Sequence, residues 1–268
     1  MPQPIVLVKL GGSLITDKSR PGVARRAVIG RLARELSAIS KGPRGARLLL
    51  GHGSGSYGHA EASHGGLTPG ADARRRLDAI ARTQQRAAEL NRLVVDALVE
   101  AGARPFSFAP SSFLRADGGR VVSRFVEPIF AALDRGLLPV VYGDVVLDDR
   151  RGAIIVSTEE LFVMLAKEAA RRRLPVARAV WLGETDGVHD RDGDPIVTLS
   201  AAGAARAARR VNGASGIDVT GGMSLRLRAA GALAAAGVPS LIVDGRRAGT
   251  IAAIVSGSAP GGTRVESR

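Results

Sequence analysis

Short unbroken apolar runs alternate along this chain with longer stretches in which apolar residues recur every three or four positions. Residues 5–10, 47–50, 104–108, 137–142, 179–182 and 240–243 form the runs. Their continuity suits strands covered on both faces. Between them, 24–40 carries Val28, Leu32, Leu36 and Ile39 at helical spacing. Residues 71–101 place Leu77, Ile80, Ala81, Gln84, Ala88, Val94, Val95 and Leu98 on one side, and 159–173 and 223–236 read likewise as helices. Strands alternating with helices predict an α/β fold with a mostly parallel central sheet. Residues 145–147 and 153–156 flank Asp148-Asp149-Arg150-Arg151-Gly152, a hairpin signal, and 115–120 reads as a second such turn.

The 268 residues fit one large domain or two lobes sharing a sheet. Aromatics are only 3%, so Val, Leu, Ile and Ala must pack the core. There is no cysteine, which excludes disulfides and thiolate metal sites. No leader pattern and no apolar run of membrane-spanning length is present, so a soluble cytoplasmic protein without a membrane partner is expected. The net charge of +13 admits steering of anionic substrates. The arginines are scattered and no aromatics interleave them, so a nucleic-acid surface is not expected.

Of 38 basic residues only Lys9, Lys18, Lys41 and Lys167 are lysine, and two of these flank one turn, Leu10-Gly11-Gly12-Ser13, directly after a strand. Keeping lysine there in an arginine-rich chain suggests a compact point charge is needed. Glycines lacking a Cβ let successive backbone N–H groups approach an anion. A second glycine-rich segment, Gly51-His52-Gly53-Ser54-Gly55-Ser56-Tyr57-Gly58-His59, follows another strand and reads as a loop before a helix. Anions bind at such junctions. Two such turns together point to a site for transferable phosphate, with His59 reaching the ligand and His52 serving a structural role. His64 and His189 are expected on the surface.

Three further segments follow. A strand ends at Gly143-Asp144, where the carboxylate would orient a lysine, bind magnesium through water, or make an Asx turn. Acidic residues after the strand ending at Leu182, Asp186 among them, would meet a ribose hydroxyl. Asp218-Val219-Thr220-Gly221-Gly222-Met223 leads into a helix carrying Arg226, whose first N–H groups offer a nucleotide contact. The P-loop pattern GxxxxGK[ST], the protein-kinase signatures, GxSxG and HExxH are all absent.

In order along nearly the whole chain, these segments resemble the amino acid kinase superfamily, and within it most closely the isopentenyl phosphate kinases. The loop ending Ser56-Tyr57-Gly58-His59 is the separating feature, shared with fosfomycin kinases. The resemblance implies a three-layer open sandwich, usually homodimeric, with residues up to about 175 binding the acceptor and about 176–268 binding ATP. It implies transfer of phosphate from ATP, with Mg2+, to isopentenyl phosphate. The alternatives are another small phosphate or phosphonate such as fosfomycin, or a catalytically weak nucleotide-binding regulator.

Carried over by position, Lys9, Lys18 and His59 would be catalytic. Lys9, Leu10, Gly11, Gly12, Ser13, Ser54, Asp186, Gly222, Met223 and Arg226 would bind ATP. Gly53, Gly58, His59, Gly143, Asp144, Ser157 and Thr158 would hold the acceptor, and no metal is expected on protein ligands alone. The chain departs from the family pattern at Thr158, normally glycine, at Glu159, normally aspartate, at Gly183-Glu184, at Tyr57, commonly phenylalanine, and at Arg226, normally lysine. The helix at 71–101 with Phe106, Phe108, Phe113 and Phe130 is the expected apolar wall for a prenyl tail.

Overall fold

A computed structural model describes residues 3–41, 46–67, 70–213, 222–258 and 261–267. In chain order the elements are β1 (Ile5–Leu10), α1 (Gly12–Ile15), α2 (Arg26–Lys41), β2 (Arg47–His52), α3 (Gly55–His64), α4 (Leu77–Glu100), β3 (Pro105–Phe108) and α5 (Pro110–Phe113). There follow β4 (Leu114–Asp117), β5 (Arg120–Arg124), α6 (Glu127–Asp134), β6 (Leu138–Tyr142), β7 (Asp144–Asp148), β8 (Gly152–Val156) and α7 (Thr158–Arg171). The last are β9 (Val176–Gly183), β10 (Val188–His189), β11 (Pro195–Ile196), β12 (Thr198–Ser200), α8 (Ala201–Gly213), α9 (Gly222–Ala235), β13 (Ser240–Asp244), α10 (Thr250–Val255) and β14 (Thr263–Glu266). The fold is α/β with a mostly parallel central sheet, as the apolar runs predict. No helix among the described residues is long and apolar enough to cross a membrane.

The chain divides into two compact units, Leu10–Thr158 and Met1–Lys9 with Glu159–Arg268. In the Leu10–Thr158 unit, β6 lies between β2 and β3 and is parallel to both. A smaller sheet runs β5-β4-β7-β8, its outer pairs antiparallel. In the other unit the order is β12-β14-β13-β9-β1, with β13 parallel to β9 and antiparallel to β14. β1 and β6 are buried at every position, which is why they read as unbroken apolar runs. Truncating such a residue, Leu7→Ala for instance, costs about 2–5 kcal/mol.

The expected helix over 71–101 starts only at Leu77, which is itself exposed. Residues 70–76 are instead laid across the tip of the β7–β8 hairpin. The N–H of Ala73 donates to the Arg151 carbonyl at 2.7 Å. Gly152 sits so close that a Cβ on it would lie 2.6 Å from the Arg74 nitrogen. The buried face of α4 is consequently Thr83, Ala87, Leu90, Asn91, Val94 and Leu98, rotated from the face that periodicity suggests.

Asp148 fastens the small sheet. Its buried carboxylate accepts N–H groups from Gly118 and Gly119 in one turn and from Arg150 and Arg151 in the other, at 2.7–3.1 Å. Burial alone would push its pKa up, but the backbone donors together outweigh it and hold the carboxyl below the ordinary carboxylate range. A depressed carboxyl contributes stability that is complete above its unfolded pKa of about 4 and fades as pH falls through the lower folded value. Asp148→Ala should therefore lower unfolding stability by about 2 kcal/mol at neutral pH, since charge-assisted bonds are lost and donors orphaned. In urea titrations the deficit should shrink in acid; a deficit independent of pH down to pH 3 would contradict the ionised staple.

Candidate active site

Both predicted glycine turns fall in the Leu10–Thr158 unit, and the fold sets them against each other. The first is not an open loop: Gly12–Ile15 coil into α1, with Gly11 as its cap in extended conformation. The second is shorter than expected, because β2 continues through His52 and α3 already begins at Gly55. Ser56, Tyr57, Gly58 and His59 are thus helical. A Cβ on Gly12 would lie 2.6 Å from the Gly55 nitrogen, so the two turns meet backbone to backbone. Gly55 has φ +51°, and a Cβ there would collide with Thr16.

Thr16, which sequence reasoning missed, ties the turns together. Its buried hydroxyl donates to the Gly12 carbonyl at 2.8 Å and accepts the Ser56 N–H at 3.0 Å. Gly53 N–H donates to Leu10 O at 3.0 Å. Helix starts leave N–H groups without intrahelical partners, and here two helix starts are stacked in one place. Ser54 caps α3 by position but makes no side-chain cap bond. Gly58 also has no room for a side chain, since a Cβ would lie 2.8 Å from Ser54 Cβ. His59 is placed in α3 by its backbone; its side chain lies outside the described residues. Lys18 is exposed in the turn after α1, with no ion-pair partner among the described residues.

Thr158 and Asp144 are buried in this unit. The Thr158 hydroxyl donates to the His52 carbonyl at 2.6 Å. Asp144 does not orient a lysine: its carboxylate accepts N–H groups from Ser111 (3.2 Å) and Val145 (2.8 Å), and burial pushes its pKa up. Gly143 donates its N–H to the His52 carbonyl at 3.1 Å and has ordinary van der Waals room for a Cβ. Of the expected apolar wall, Phe130 is in the core and Phe106 is 51% exposed. An apolar cluster of Ala62, Leu67, Ala73, Val145 and Ala153, with Ala79 and Ile80 against it, lies instead among α3, α4 and the β7–β8 hairpin.

The other unit holds a buried ion pair with a second cation beside it. Lys9, 5% exposed, makes an ion pair of 2.6 Å with Glu159, the residue that carries the carboxylate role expected of Asp144. No local motif marks the pair, because its members are 150 residues apart. Burial pushes the Lys9 ammonium below the ordinary lysine value; Glu159 pulls it back up, and the buried Arg226 on α9 pushes it down. Arg226 also lies against Gly183, where a Cβ would sit 2.7 Å from its guanidinium. Gly183, having no Cβ, leaves room for that guanidinium. Gly222 and Met223 open α9, while Ser157, in the Leu10–Thr158 unit, is half-buried just before α7. Residues 218–221 lie outside the described residues. Asp186 is exposed and paired with His189 at 2.7 Å, which holds its carboxyl low. Thr263 is fully buried, accepting the Val188 N–H and donating to Ile196 O.

The amino acid kinase family model matches residues 4–244. The isopentenyl phosphate kinase of Methanothermobacter thermautotrophicus is 34% identical, over 97% of this chain and 98% of that protein. The enzyme of the same name from Haloferax volcanii is 33% identical, over 96% and 97%. A solved structure described as "X-ray structures of isopentenyl phosphate kinase" superposes with TM-score 0.79 at 30% identity, covering 97% of this chain and 99% of that one. The chain belongs to the amino acid kinase family.

Two measurements probe the geometry. Gly12→Ala must displace the Gly55 backbone, and a misplacement near 1 Å costs on the order of a hundredfold in rate. Kinase kcat/KM should fall by about that factor in a protein that still melts cooperatively; full activity would break the link between the turns and the reaction. Glu159→Gln removes the countercharge that raises the Lys9 pKa. The alkaline limb of the pH–rate profile should then move to lower pH, because a lysine needed as a cation is lost as pH rises through its pKa. An unmoved limb would show that Lys9 charge does not matter.

Proposed function

We propose that the chain transfers the γ-phosphoryl group of ATP to isopentenyl phosphate, giving isopentenyl diphosphate and ADP. The observation that carries this reading is the back-to-back pair of glycine turns around Gly12 and Gly55, with His59 one turn into α3, in a chain that matches isopentenyl phosphate kinases along almost all its length.

A phosphate monoester has a second pKa of about 6 and is a dianion at neutral pH. It needs no general base. The obstacle is charge repulsion between acceptor and donor, and the proposed residues address it. Gly53, Gly58 and His59 would hold the acceptor phosphate, with Gly143, Asp144, Ser157 and Thr158 shaping the strand ends behind it. Leu10, Gly11, Gly12, Ser13 and Ser54 would offer backbone and hydroxyl donors to ATP, Lys9 would meet its β and γ phosphates, and Asp186, Gly222, Met223 and Arg226 would border the nucleotide. Lys18, exposed and without an ion-pair partner among the described residues, would neutralise charge on the phosphoryl group in flight. An acceptor oxygen forms the new bond to phosphorus in line as the β–γ bridging bond breaks, and ADP leaves with that electron pair. The apolar cluster among α3, α4 and the hairpin would face the prenyl tail.

Among the described residues no three acidic or histidine side chains gather into a metal cage. The buried carboxylates Asp144 and Glu159 already have partners. That donor set fits magnesium carried by the nucleotide phosphates rather than by a protein cage. When bound there, magnesium would supply charge neutralisation. The resemblance further implies a homodimer, and an enzyme supplied with ATP in the cytoplasm.

An ADP-release assay with ATP and isopentenyl phosphate, dimethylallyl phosphate or fosfomycin tests the reading. Isopentenyl phosphate should give the highest kcat/KM; preference for fosfomycin, or ADP release without acceptor preference, would replace it. His59→Ala removes a donor to the charged acceptor and should cut turnover about a hundredfold or more while ATP binding stays nearly intact. Lys18→Ala should lower kcat more than it weakens binding, and a defect confined to KM would remove it from the transition state.

A further inference from the structure

One buried polar chain in the Leu10–Thr158 unit is unused by the reaction above. His52 ends β2 with no exposed surface. Its ring lies parallel to Tyr142, with centroids 5.4 Å apart and 9° between planes. Its Nδ1 is 3.1 Å from the Gly53 carbonyl and its Nε2 is 3.2 Å from Asn91 Oδ1. Asn91, buried on α4, has its other amide atom 2.6 Å from the Ser107 hydroxyl. Ser107 is exposed on β3.

Donor and acceptor counting gives this chain a direction. With Asn91 Oδ1 toward His52, both ring nitrogens face acceptors, which requires an imidazolium. With the amide turned over, a neutral ring satisfies both of these contacts. Ser107 O–H then donates to Asn91 Oδ1, the Asn91 amide N–H donates to His52 Nε2, and His52 Nδ1–H donates to the Gly53 carbonyl. Gly53 is thereby held on both sides, its N–H by Leu10 O and its carbonyl by the His52 ring. A glycine without these ties has the widest choice of backbone conformations. The next residues, Ser54 and Gly55, enter α3 against Gly12.

We propose that Ser107, Asn91 and His52 form a positioning relay that fixes the Gly53 peptide and so sets the acceptor cradle from the surface of β3. The proposal rests on the reading that residues 53–59 hold the acceptor. None of the three touches substrate; they act through Gly53.

Ser107→Ala changes one oxygen at an exposed residue and should fold normally. It should raise the KM for isopentenyl phosphate about threefold to tenfold while the KM for ATP stays within twofold. Ser107→Thr, which keeps the hydroxyl, should restore the native value. Asn91→Leu should raise the acceptor KM further and speed amide exchange in the peptide spanning 53–58, with exchange in β9 and β13 unchanged. An unchanged acceptor KM and unchanged exchange at 53–58 in Ser107→Ala would overturn the relay, as would equal rises in both KM values. Should the native protein be inactive with isopentenyl phosphate, the functional reading fails, and the exchange measurement alone decides the relay.

Discussion

The contact between Gly12 and Gly55 is the constraint on which the site depends. Two chain reversals, each following its own strand, approach so closely that neither can carry a side chain at the point of contact. Backbone N–H groups are fixed donors with no rotamer entropy to lose, and crowding two helix starts concentrates them where an anion can use them. The Thr16 hydroxyl secures this arrangement with one bond to each turn. Threonine suits that task because its branched side chain has few rotamers and is held by burial.

The buried charges obey a different logic. Removing an ammonium from water is costly, and burial pulls the Lys9 pKa down; Glu159 beside it raises it again, while Arg226 lowers it. The Glu159 carboxylate reaches the Lys9 ammonium at 2.6 Å. The Arg226 guanidinium fills the space that Gly183 leaves by having no Cβ.

Much of the fold was legible because its causes are local. β1 has the predicted bounds, and the other apolar runs begin or end within a few residues of their strands, since continuous burial leaves a continuous apolar signature. The hairpin at 144–156 was marked by its turn residues. The rest depended on partners distant in the chain. Residues 71–76 have helical composition yet are drawn onto Arg151 and Gly152. The Lys9–Glu159 pair and the Thr16 tie join segments with no shared motif. Asp144 had the expected position and a different employment, because the nearest donors were the backbone of Ser111 and Val145.

A surface charged almost wholly by guanidinium groups is nearly silent to amine chemistry. Apart from the chain terminus, the exposed primary amines are Lys18, Lys41 and Lys167, while Lys9 is shielded. Acylating or carbamylating reagents would therefore find very few targets on this molecule, and one of them is the side chain proposed to meet the migrating phosphate. Metabolic acyl donors would face the same short menu, so the scarcity of lysine makes this protein's exposure to such damage unusually concentrated.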